Sequence, residues 1–208
     1  MLGQYRSLFE PIKNQVARPL IALGIRPLTV TLTGLVLSVL SLFCSLLGWP
    51  FLAFLTAMIA SLTDLFDGAV ARGSGQVTQE GDFLEAVIDK MVEMVLLFGL
   101  AWHNPMCCFL AAASAFLVSY VKPRLAQVIP SDNHDWPGLG DHPDRMVLVV
   151  SGYFFVYRHW PLAIPLALLT LINLVGAAQR ILYALQLIQR RRLAIDQDTV
   201  AGTVPTDR

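Results

Sequence analysis

Residues 27 to 63 contain no Asp, Glu, Lys or Arg. An uncharged run of 37 residues is long enough for two membrane crossings at roughly 20 residues each, with the reversal at Gly48-Trp49-Pro50. Residues 94–121 and 159–179 are also free of the four charged types. The whole chain of 208 residues is 55% hydrophobic and 14% charged, well below the usual quarter charged of a soluble domain. The expectation is an all-α integral membrane protein of a single domain, with no separate soluble domain. The net charge is zero, and no nucleic-acid partner is expected.

The periodicity places six transmembrane helices at roughly 28–48, 50–72, 82–102, 105–128, 143–160 and 162–188. The links near Trp49, Asn104 and Trp160 are short; those at 73–81 and 129–142 are longer and polar. Residues 1–26 mix Arg6, Glu10, Lys13 and Arg18 with Leu8, Phe9, Ile12 and Val16, which predicts an N-terminal amphipathic juxtamembrane helix rather than an export signal. Residues 27–188 form the membrane domain, and 189–208 read as a polar cytoplasmic tail. Of the 15 Lys and Arg residues, 14 fall on one side of this arrangement and Arg158 alone on the other. The positive-inside rule then puts both termini in the cytoplasm, with the protein multi-pass in the cell membrane. Cys44, Cys107 and Cys108 lie in apolar runs without metal or redox spacing and read as small buried hydrophobes. His103 and His159 stand beside Trp residues and read as interfacial, and Asn133-His134-Asp135-Trp136 reads as a solvated loop with an interfacial Trp.

Against this apolar background the acids stand out. Asp64, Asp67, Gly68 and Ala71 follow i, i+3, i+4, i+7 and share a helix face. Asp82, Glu85, Asp89 and Glu93 share a face of the next helix, which is consecutive and antiparallel, so the two polar faces can meet. Ionisable groups inside a membrane are costly and mark function. Packed carboxylates repel unless cations sit between them, and oxygen ligands favour Mg²⁺, Mn²⁺ or Ca²⁺. Two such ions about 3.5–4 Å apart serve displacement at phosphorus. Gly68 and Ala71 leave one face bare for close approach, and the Arg72 fork suits a phosphate. Span five has only twelve residues between charges, about 18 Å of helix, so Asp144 and Arg145 must snorkel or face a wet interior.

The segment Asp64-x-x-Asp-Gly-x-x-Ala-Arg72, eight residues, Gly81, then acids at 85 and 89 resembles the signature of the CDP-alcohol phosphotransferases. The match holds at every fixed position except 85, where Glu stands for Asp. The resemblance implies that Asp64, Asp67, Glu85 and Asp89 hold two divalent cations, Mg²⁺ or Mn²⁺. It implies that Asp64, Gly68, Ala71, Arg72 and Thr78, with Thr29 in the Pro27–Val30 segment, line the donor site for a CDP-lipid, either CDP-diacylglycerol or CDP-archaeol. Asp89 is implied as the base that takes the acceptor's hydroxyl proton while that oxygen attacks the β-phosphorus and CMP leaves. Ser119-Tyr120…Arg124 and Asp141-His142…Arg145 resemble segments of members with phosphorylated acceptors, His142 replacing an Arg. Lys122, Arg124, Arg145 and Arg180 are then the acceptor-phosphate cluster, with inositol phosphate the first choice and glycerol 3-phosphate the competitor. Similar enzymes form homodimers, so a homodimer among membrane lipids is expected. Two other readings use the same residues: a divalent-cation or proton transporter, which calls for acids nearer the midplane, and a CDP-lipid-binding homologue inactivated by Glu85.

Overall fold

The computed structural model describes residues 6–129, 136 and 139–200, and its described elements are helices. They are α1 Arg6–Ala22, α2 Pro27–Leu46, α3 Pro50–Ser74, α4 Gln79–Ala101, α5 Pro105–Val128, α6 His142–Tyr157 and α7 Ala163–Val200. Proline opens α2, α3 and α5, where its missing N–H costs nothing and its fixed φ suits the first turn. Gly75 ends α3 in the left-handed conformation, φ 68°, its N–H reaching back to Arg72 O. Three residues later Thr78 caps α4, its Oγ1 accepting from the Gly81 N–H at 3.0 Å. The stop and the start together form a tight turn that reverses the chain into α4, which packs chiefly on α2.

The helices pack through small residues, as apolar helices without a hydrophobic drive between them must. Ala53, Ala57 and Ala60 of α3 are buried. Gly34 of α2 lies against Thr63 and the Ala60 carbonyl, and a Cβ at Gly99 of α4 would lie 3.3 Å from Leu42 Cα. Hydroxyls tie the same seams: Ser41 Oγ donates to Ala53 O, Ser45 Oγ to Gly99 O, and Tyr153 Oη to Leu96 O, all within 2.7–2.8 Å. Leu96, Leu97, Leu100, Val149, Leu166 and Leu169 fill the centre. A smaller cluster of Ala17, Val30, Ala69 and Val70 docks α1 across α2 and α3, with Ile21 pressed onto Gly73. The outer surface is apolar: Val36, Phe98, Phe109, Phe116 and Leu182 are each more than 60% exposed. A belt of that kind belongs in lipid, and the chain is a multi-pass membrane protein.

Among the described residues, length and composition single out four helices able to cross a bilayer: α2, α3, α5 and α7 over Ala163–Leu193. The expected third and fifth spans, α4 and α6, are not marked this way. α4 carries Asp82, Glu85, Asp89, Lys90 and Glu93, and α6 has only 16 residues. Both are the helices whose first turns enter the polar site. Past residue 188, where the sixth span was expected to end, the chain stays helical. α7 continues unbroken to Val200 because no Gly or Pro lies between Gly176 and Gly202 and Leu, Ala, Gln and Arg sustain the helix. Residues 133–135 and Arg208 lie outside the described part, while Trp136 stands edge-on against Tyr183 of α7.

Alternating helix directions bring the end of α3, the start of α4, the end of α5, the start of α6 and the second half of α7 to one end of the bundle. α1 lies across that end.

Candidate active site

α3 and α4 carry the four predicted metal ligands to one end of the bundle: Asp64 and Asp89 offer ligand atoms within 4.8 Å of each other, while Asp67 and Glu85 lie within electrostatic reach. Asp67 is fully buried and held on both oxygens: Thr31 Oγ1 donates to Oδ2 at 2.9 Å and the Gly68 N–H to Oδ1 at 2.6 Å. Asp64, one turn earlier, is one-fifth exposed, and one of its oxygens lies within 4.8 Å of one of Asp89 of α4. Glu85 reaches over the bare face of Gly68: a Cβ there would lie 3.7 Å from Glu85 Oε1 and 3.3 Å from Arg72 Nη1. Glu85 also interacts electrostatically with Asp64, Asp67 and Asp82. The carboxylate at 85 thus lies over the spot that glycine keeps open. Lys13 of α1 lies within electrostatic reach of Asp64.

Behind the carboxylates stands a second charged layer. Glu93 is fully buried and accepts from Arg145 Nε at 2.7 Å, Arg145 Nη2 at 3.0 Å and Lys90 Nζ at 2.6 Å. Lys90 also donates to Ser119 Oγ at 3.0 Å, and Arg145 Nη1 to the Gly140 carbonyl at 2.6 Å. This two-pronged pair, satisfied on every nitrogen of Arg145, is the arrangement a buried guanidinium requires. His142, the first residue of α6, lies between the layers. Its Nε2 is 3.4 Å from Asp64 Oδ2 and its Nδ1 is 3.7 Å from Glu93 Oε2.

The predicted acceptor residues separate. Arg145 is buried and committed to Glu93 and Gly140, so it frames the site instead of offering an open fork to a phosphate. Arg180 of α7 donates to Val118 O and Asp141 Oδ1, both at 2.8 Å, and its Nε is buried without a hydrogen-bond partner among the described residues. Arg124 is exposed and bonds Gln127 of its own helix at 2.9 Å, while Lys122 is partly buried on α5. Among the donor residues, Ala71 and Gly68 share the site face, and Thr78 caps α4. Thr29 is exposed; the threonine that reaches the acids is Thr31, two positions on. Sequence reasoning missed Thr31, the Arg145–Glu93 pair and the place of His142. The helical spacing already sets Glu93 on the face of Asp82, Glu85 and Asp89, but nothing local marks its partner.

Asp64, Asp89 and His142 each offer one ligand atom, all within 4.8 Å of one another. His142 Nε2 is buried and without a hydrogen-bond partner among the described residues. An unpaired buried nitrogen beside crowded carboxylate oxygens is a donor set that fits a divalent cation.

Comparison with known proteins agrees with this geometry. Residues 25–181 match the family model of the CDP-alcohol phosphatidyltransferases. The chain is 30% identical over 191 residues to the phosphatidylinositol phosphate synthase of Mycobacteroides abscessus, covering 84% of each. It is 27% identical over 158 residues to the archaetidylinositol phosphate synthase of Pyrococcus horikoshii, covering 74% of this chain and 83% of that one. The crystal structure of Mycobacterium tuberculosis phosphatidylinositol phosphate synthase with CDP-DAG bound superposes with a TM-score of 0.67 at 25% identity, over 84% of this chain and 94% of that one. The same enzyme in complex with manganese and citrate gives 0.69 at 25% identity, over 83% and 88%. An acid-lined end on an apolar helical bundle, and a family match over the helices that build it, make this chain an enzyme of the CDP-alcohol phosphatidyltransferase family.

Proposed function

We propose that the protein transfers a phosphatidyl or archaetidyl group from a CDP-lipid to a phosphorylated polyol, inositol phosphate first, and releases CMP. The observation that carries this reading is the convergence of Asp64, Asp67, Glu85 and Asp89 from two consecutive helices at one end of the bundle. Relatives that match over most of the chain are phosphatidylinositol phosphate and archaetidylinositol phosphate synthases, which favours inositol phosphate over glycerol 3-phosphate. The acids lie near one end, not at the midplane, which speaks against a transport pathway.

In this reading Asp64, Asp67, Glu85 and Asp89 hold two cations, Mg²⁺ or Mn²⁺, with Thr31 fixing the Asp67 carboxylate. When bound, the cations offset the diphosphate charge and stabilise the departing CMP. Gly68 and Ala71 let the donor lie close to α3, Arg72 pairs with a phosphate, and Thr78 and the Thr29 turn border the donor. Asp89 takes the acceptor's hydroxyl proton; the freed oxygen bonds to the β-phosphorus as the bond to CMP breaks. Lys122, Arg124 and Arg180 receive the acceptor's phosphate, and Arg145 positions the wall behind it through Glu93. α1 lies on the membrane surface as an amphipathic helix. α2–α7 form six spans, α4 and α6 crossing with their polar first turns inside the protein, and both termini and the site face the cytoplasm of the cell membrane.

The test is CMP release by purified protein in lipid nanodiscs, with CDP-diacylglycerol or CDP-archaeol, Mg²⁺ or Mn²⁺, and a panel of inositol phosphate, free inositol and glycerol 3-phosphate. Release is expected with inositol phosphate and a divalent cation. Release with glycerol 3-phosphate alone would reassign the acceptor, and no release with any acceptor would remove the enzymatic reading.

A further inference from the structure

His142 is the one imidazole among the described residues that faces the carboxylate cluster, and its two nitrogens look in different directions. Nε2 makes a 3.4 Å charge contact with Asp64 Oδ2, is buried, and has no hydrogen-bond partner among the described residues. Nδ1 points to the layer behind, 3.7 Å from Glu93 Oε2 and 3.4 Å from Arg145 Nη2. Glu93 is itself fixed by Arg145 and Lys90. A metal-bound histidine usually presents its second nitrogen to a carboxylate, which sets the tautomer and leaves the other lone pair for the ion. Glu93 stands on the Nδ1 side of His142 at 3.7 Å, a contact longer than a hydrogen bond, and Asp64 stands on the Nε2 side.

The spacing agrees. Ligands about 2.1 Å from a common ion lie about 3–4.2 Å from one another. One atom each of Asp64, Asp89 and His142 already lies within 4.8 Å of the other two, so small side-chain rotations close the set. His142 is held from both ends of its helix turn. Asp141 beside it is pinned by Arg180, and Arg145 one turn on is pinned by Glu93 and the Gly140 carbonyl. An arginine at position 142, which the resemblance of this segment calls for, has no lone pair to give.

We propose that His142 Nε2 is a direct ligand of the cation shared by Asp64 and Asp89, which makes that ion's site mixed nitrogen–oxygen. The inference rests on the carboxylate metal site proposed above and goes beyond it. A nitrogen ligand raises affinity for Mn²⁺ and the later first-row ions relative to Mg²⁺, which keeps to oxygen. His142 thereby biases the enzyme toward Mn²⁺.

The test is pulsed electron paramagnetic resonance on the full-length protein in nanodiscs loaded with Mn²⁺, without lipid substrate. Imidazole ¹⁴N modulation of the Mn²⁺ signal is expected, changing to the ¹⁵N pattern when histidine is ¹⁵N-labelled. In His142→Gln the modulation should vanish and Mn²⁺ affinity fall by roughly tenfold or more, while Mg²⁺ affinity moves by less than about threefold. Absence of nitrogen coupling in wild-type protein that binds Mn²⁺, with binding lost in Asp64→Asn, overturns the His142 assignment and leaves the carboxylate site standing. Coupling that persists in His142→Gln also overturns it, because another histidine then supplies the nitrogen. Wild-type protein that binds neither ion sinks both the assignment and the metal site beneath it.

Discussion

At the scale of single residues, the site separates groups that meet the substrate from groups that hold them in place. Asp89 is open enough to meet a hydroxyl and sits against Asp64. Asp89→Asn should lower CMP release by roughly 10²–10⁴-fold, the usual size of a lost general base, with the protein still eluting as a folded species in detergent. Near-normal turnover would overturn the base assignment. Thr31 acts at one remove. Its hydroxyl is the side-chain donor to a fully buried carboxylate, Asp67. Thr31→Val keeps the shape and removes the donor, so about 1–3 kcal/mol of stability should go. Divalent-cation affinity should fall by roughly 10–100-fold, the cost of losing a group that orients a ligand. Thermal unfolding and Mn²⁺ titration on the same preparation read both; an unchanged Mn²⁺ affinity would return Thr31 to a packing role. Glu85 is the residue at which the chain departs from the signature it resembles, and its carboxylate lies over the open Cα of Gly68.

At the scale of elements, the site depends on close approach between helices far apart in sequence. A Cβ at Gly176 of α7 would fall on the Leu139 carbonyl, well inside contact distance, and one at Gly140 would lie 3.2 Å from Asn173 Oδ1. The segment 139–141 is therefore pressed onto α7. It supplies the Gly140 carbonyl that holds Arg145 and the Asp141 carboxylate that holds Arg180. Gly176→Ala should push this segment outward, costing roughly 1–3 kcal/mol, as overpacking does. Because α6 begins at residue 142, the same change should weaken Mn²⁺ binding and CMP release together. Wild-type values for all three would show that the segment is free to relax. The short α6 and the charged α4 belong to the same logic. Apolar length on these two helices is given up for the first turns that carry the polar groups.

At the scale of the whole molecule, alternating helices collect nearly all the positive charge and every acid of the signature at one end. The proposed orientation predicts that single cysteines placed at Arg190 and at Arg158, in an otherwise cysteine-free chain, label from opposite sides of sealed spheroplasts. The Arg158 position should react with a membrane-impermeant maleimide from outside and the Arg190 position only after lysis. The reverse pattern would invert the protein. By itself the sequence determined the helical, membrane-spanning character, the helix starts at Pro27, Pro50 and Pro105, and the set of acids on α3 and α4. Those properties follow from charge-free runs, local turn chemistry and 3.6-residue spacing, all of which act within a few residues. Only the tertiary structure decided that Arg145 serves Glu93 across 52 positions, that Thr31 rather than Thr29 reaches Asp67 across 36, and that His142 faces Asp64. Such pairings depend on how far each helix is rotated and tilted against its neighbours. That is set by the fit of small residues such as Gly34, Gly99 and Gly176 against distant backbone and side chains, which no local pattern records.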